Sequence, residues 1–142
     1  MVGPPRVYLA PKGARTFPNQ LPGSLADEVA EAAAVGAKPI QPGTPAFEAA
    51  VNEGTLKFVV NESGELLVSP HTVGGVEISH AVLSGGRPVL SAGQANIAGA
   101  GGKFIGLELT PHSGHFFKGL RSESLKALDV AREAFRKFGV EF

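Results

Sequence analysis

Three of the chain's four histidines stand at or near the ends of apolar, strand-like runs. His112 and His115 lie three apart in PHSGHFF (111–117), with Ser113 and Gly114 between them and Phe116 and Phe117 behind. His80 lies in VEISHAVLSGG. An unperturbed imidazole has a pKa of about 6.5, so one ring can take a proton while a second gives one at neutral pH. Attack of a ribose 2′-hydroxyl on the adjacent phosphate needs such a base and acid. It also needs cations or hydroxyl donors around the phosphorane oxygens. Read this way, His80 and His115 are base and acid, and Ser113 and Lys103 attend the reacting phosphate. Ser79, Arg87, His112, Phe116 and Lys118 would then hold substrate.

Each of these residues also has a plainer reading. In VEISHAVL the alternation predicts a strand with Ile78, His80 and Val82 on one face, where a histidine is often neutral, buried and bonded to a backbone group. His71, in SPHTVGG, reads as a turn residue. A metal is the rival for HSGH, with Glu108 or His80 as a further ligand. No HExxH is present and cysteine is absent, so no metal and no other cofactor is expected. AGAGG (99–102 and its neighbour) falls between two strands rather than between strand and helix, so it is a turn and not a phosphate loop. There is no GxSxG elbow.

These groups must be positioned by a modest chain. It has 142 residues, 43% of them hydrophobic and 18% charged, which suits one folded domain with its own core. With no cysteine, disulfides and thiolate chemistry are excluded. The longest apolar run, 89–102, is interrupted by Ser, Gln, Asn and Gly, so no membrane-spanning segment is expected. Pro4, Pro5 and Arg6 argue against a secretory signal. Net charge is zero, yet residues 118–137 carry six basic against three acidic side chains. That local excess beside PHSGHFF is a cue for an anionic ligand, or an ordinary solvated helix face.

Residues 1–24 form a Pro/Gly-rich leading segment, and 25–142 a single domain. LADEVAEAAAV (25–35) predicts a helix with Ser24 as N-cap and Gly36 as stop. AFEAAVNEG (46–54) predicts a second. TLKFVV and ELLVSP flank the turn NESG as one hairpin. VEISHAVL and VLSAGQANIA predict another, which AGAGG joins to KFIGLELT. SESLKALDVAREAFRKFG closes the chain as a helix, with Leu125, Leu128, Ala131, Phe135 and Phe138 at helical spacing, Ser122 as N-cap and Gly139 as C-cap. The expected fold is α+β: short N-terminal helices, an antiparallel β-meander of about five strands, and a C-terminal amphipathic helix packed on the sheet.

ISHAVLSGGRPVLSAGQANI (78–97) followed by PHSGHF (111–116) resembles a pattern in C-terminal toxin domains of bacterial polymorphic toxins, of the Rhs and contact-dependent-inhibition kind. There an HxxLxxGxPVxxAG run precedes, after one strand, an SGHY or SGHF motif. The resemblance covers roughly residues 55–142. The order of helices and sheet is similar to the barnase/EndoU/colicin/RelE ribonuclease group, whose members use histidines without a metal. By that resemblance His80 and His115 are the motif histidines, Ser113 and Gly114 its turn, and Phe116 its aromatic position, where tyrosine is more frequent.

The resemblance implies a metal-independent ribonuclease toxin acting on tRNA or other RNA. It would be secreted as part of a larger protein, delivered to a target cell's cytoplasm, and restrained by a cognate immunity protein. Neutral net charge sits poorly with binding to many phosphates. Two other readings therefore stand beside it. One is an ADP-ribosyltransferase or NAD-cleaving toxin using a histidine with Glu77 or Glu108. The other is a non-enzymatic binding module whose histidines only satisfy a core.

Overall fold

The computed structural model describes residues 7–113 and 115–142, with the side chain of Ala100 outside that set. Gly114, expected in the turn of PHSGHFF, and Pro4, Pro5 and Arg6 thus lie outside the described residues. The fold is α+β. A 3-10 turn (Pro22–Ser24) leads into α1 (Leu25–Ala34), followed by α2 (Pro45–Asn52), β1 (Leu56–Asn61) and β2 (Leu66–Pro70). Then come β3 (Thr72–Val73), β4 (Val76–Glu77), α3 (His80–Ser84), β5 (Val89–Ala100), β6 (Lys103–Thr110) and α4 (Arg121–Arg136). The main sheet is antiparallel with order β2-β1-β5-β6, and β3 and β4 form a separate ribbon.

Local chemistry sets these elements. The β1–β2 turn closes because Asn61 Oδ1 accepts from the backbone N–H of Ser63 and of Glu65. Helix α2 opens with Pro45 at its first position and Thr44 Oγ1 accepting from Phe47 N. It buries Phe47, Ala50 and Val51 in the same core as Leu56, Phe58 and Val60 of β1. Helix α4 adds Ala131, Ala134 and Phe135 to that core, the Phe135 ring standing edge-on to Phe58 at 5.5 Å. Each large side chain so buried contributes about 1.5–3 kcal/mol relative to exposure. A second cluster holds Val59, Leu83, Val89 and Ala92 with Phe17, Phe116 and Phe117. Phe17 and Val89 exchange backbone hydrogen bonds in both directions, so the leading segment lies against the domain there.

The expected strand over 76–83 is not formed. Only Val76–Glu77 is extended, and His80 begins a helical turn instead of sharing a strand face with Ile78 and Val82. Ser79 is the cause at one end, its Oγ accepting from Val82 N, and Gly85 at φ 65 is the cause at the other. The sheet therefore has four strands, and β5 pairs with β1 rather than with residues 76–83. Three helix details also differ. Ser24 makes no capping bond, because it ends the 3-10 turn and its Oγ meets Leu21 O and Glu28 Oε1. Helix α4 starts one residue before Ser122, and Leu125, expected in the core stripe, is 50% exposed.

Candidate functional site

The start of α3 sets His80 against the middle of β5. Its Nε2 lies 2.6 Å from Gly93 O and the residue is 1% exposed. Because a carbonyl only accepts, Nε2 carries the proton, and Nδ1 has no partner among the described residues. Burial drives the His80 pKa down to about 4; the bond to Gly93 O opposes that, while the nearby Lys57 and His115 add to it. His80 is therefore neutral and shielded at neutral pH. Gly93 is required here: a Cβ would collide with Thr110 O, where β6 ends and the PHSGHFF loop begins.

That loop brings His115 beside His80 and toward α1. His115 Nε2 is 2.6 Å from Glu28 Oε2, with side-chain exposures of 11% and 22%. The carboxylate lies off the direction of the ring N–H, so the contact is an ion-pair distance without the alignment of a hydrogen bond. The bend is fixed by Ser113, whose Oγ accepts from the N–H of both His115 and Phe116. Phe116 and Phe117 are buried behind it, Phe117 in the left-handed region at φ 68. Gln20 locks the loop from outside. Its backbone N–H donates to His115 O, and its side chain exchanges hydrogen bonds with the backbone of Lys118. Helix α1 can reach Glu28 over because Leu25 packs where Gly86 has no side chain.

A second charged group adjoins His80. Lys57, only 5% exposed although on β1, is held 2.9 Å from Glu77 Oε1, and His71 Nε2 is 3.3 Å from the same oxygen. The Lys57 hydrogen bond and charge hold the Glu77 carboxyl below its ordinary pKa. So Glu77, weighed for NAD chemistry, is engaged with Lys57, and His71 is more than a turn residue.

The remaining expected residues divide. Ser79 is the cap of α3. Exposed His112 joins Ser113, Phe116 and Lys118 around a groove of about 770 Å³, which Arg121 at the start of α4 also lines. Arg87 is elsewhere, its Nε donating to Glu62 Oε1 at 2.9 Å beside the β1–β2 turn. Lys103 is at the tip of the β5–β6 hairpin, roughly 24 Å along β6 from Thr110 at 3.4 Å per residue. The sheet thus gathers His80, His115 and Ser113 and leaves Lys103 and Arg87 outside.

Sequence reading missed Glu28, Lys57 and Arg121 as site residues. Glu28 looked like an ordinary first-turn acid of α1, and only the tertiary fold joins it to His115. Among the described residues no group of three or more His, Asp or Glu is arranged to hold a metal ion. No helix among them is long and apolar enough to cross a membrane. Comparison with protein families, curated proteins and solved structures returned no match to this chain.

Proposed function

We propose that this domain is a metal-independent ribonuclease of the antibacterial-toxin kind, with His115 as its acid–base group. The observation that carries the reading is the His115–Glu28 pair, in which His115 is largely buried and Glu28 half-buried, on a loop whose other side chains include exposed His112 and Lys118. In this reading His115 takes the proton of a ribose 2′-hydroxyl and the 2′-oxygen attacks phosphorus. The 5′-oxygen leaves, taking a proton from water, and a 2′,3′-cyclic phosphate remains. The imidazolium formed on His115 is stabilised by the Glu28 carboxylate, an electrostatic role for a group already in place. His80 is assigned to the core, since its neutral, shielded ring cannot meet a substrate. Secretion within a larger protein, action on tRNA in a target cell's cytoplasm, and a cognate immunity protein belong to the same proposal.

An oligonucleotide with a single ribose in a deoxyribose background tests the chemistry in EDTA. Cleavage only at the ribose, leaving a cyclic phosphate, is expected; cleavage of the all-deoxy control would rule out 2′-hydroxyl attack. A second reading, a non-enzymatic binding module, is favoured by the burial of His80 and its Nε2 bond to Gly93 O. It predicts that His115→Ala alters stability and no activity.

A further inference from the structure

The groove at the start of α4 has a charge pattern the catalytic reading does not use. Among the described residues five arginines are present, and four have a carboxylate within 4.0 Å: Arg15 with Glu123, Arg87 with Glu62, Arg132 with Asp129, and Arg136 with Glu133 and Glu141. Arg121 is the exception, and Lys118 and His112 in the same groove also lack an acidic partner among the described residues. Glu123, the acid nearest in sequence, is turned to Arg15 and Ser122. Ser113 Oγ accepts two backbone N–H bonds, which leaves its own hydrogen for an outside acceptor. Leu120 offers no side-chain cap; the Glu123 carboxylate takes its own backbone N–H, which leaves the N–H groups of Arg121 and Ser122 as donors at the same end. Lysines other than Lys57 also lack an acid within 4.0 Å among the described residues. The distinguishing charge is therefore Arg121, the one unmatched arginine there, set with Lys118 and His112 on a concave surface where a ligand's negative charge can sit.

We propose that this groove binds the phosphodiester backbone of single-stranded RNA, with Arg121 as the bidentate phosphate contact and Lys118, His112 and Ser113 beside it. This rests on the ribonuclease reading for the identity of the polymer. Phe116 and Phe117 are buried in the floor and cannot stack on bases, so the contacts read backbone and not sequence. The groove is lined by residues on both sides of His115 in the chain but not by His115 itself, so a strand lying in it runs beside the loop that carries the acid–base group.

The test is fluorescence anisotropy of a labelled, uncleavable 2′-O-methyl oligonucleotide, with wild type, Arg121→Ala, Lys118→Ala, and Lys103→Ala as a remote loss of charge. Arg121→Ala and Lys118→Ala should each weaken binding about tenfold and lower the salt dependence by about one phosphate contact, with Lys103→Ala near wild type. Absence of wild-type binding, or equal loss in all three variants, would overturn the groove, as would binding of NAD in place of the oligonucleotide. The two proposals fail separately. Arg121-dependent binding without cleavage of natural RNA sinks the ribonuclease reading alone. Cleavage untouched by Arg121→Ala and Lys118→Ala sinks the groove alone.

Discussion

His115 Nε2 stands 2.6 Å from Glu28 Oε2, joining the loop after β6 to helix α1. Helix α1 buries only Ala32, and this contact ties its acidic first turn to the loop. A double-mutant cycle with Glu28→Gln and His115→Ala should give a coupling of about 1 kcal/mol, between the exposed and buried extremes for ion pairs. Coupling indistinguishable from zero in urea titrations would mean the two groups are neighbours without an interaction.

His80 makes stability depend on pH. Its folded pKa of about 4 lies below the ordinary value of 6.5, so the unfolded chain binds the extra proton first. The contribution is fully present above pH 6.5 and is lost as pH falls toward 4, amounting to about 3 kcal/mol. His80→Gln, which can still donate to Gly93 O, should be less stable at pH 7.5 and should flatten the dependence between pH 6.5 and 4.5. An unchanged slope in that variant would mean that His80 is not the titrating group.

Gly93→Ala should cost about 3 kcal/mol or more, because its methyl group would meet the backbone carbonyl of Thr110, which a side-chain rotation cannot relieve. A denaturation midpoint within error of wild type would contradict the close approach of β5 and the end of β6.

The two faces of α4 predict opposite outcomes. Phe135→Ala, at a fully buried ring against Phe58, should cost about 3–5 kcal/mol. Leu125→Ala, at a half-exposed side chain, should change stability by no more than about 0.5 kcal/mol. Equal effects would contradict the orientation of the helix.

How far the sequence carried these results varied by element. The β1–β2 turn was readable from NESG, α2 from Thr44-Pro45, and β5 and β6 from their glycine-rich connection, because each signal is local. His80 was misplaced on a strand because Val76 to Ser79 alternates apolar with polar and the run continues through His80 into apolar Ala81, Val82 and Leu83. Ser79 and Gly85, a cap and a left-handed stop, already bracketed a helix too short to show a period of its own. The pairing of β1 with β5, and the meetings of Glu28 with His115 and Lys57 with Glu77, depend on the tertiary fold. No spacing rule could have supplied them.

The most direct test of the central claim is incubation of purified protein with total bacterial RNA in EDTA, beside folded His115→Ala. The account predicts discrete cleavage by the wild type, reduced at least about 100-fold in the variant, the scale of a lost acid–base group. Intact RNA with correctly folded wild type, or equal cleavage by His115→Ala, would contradict it.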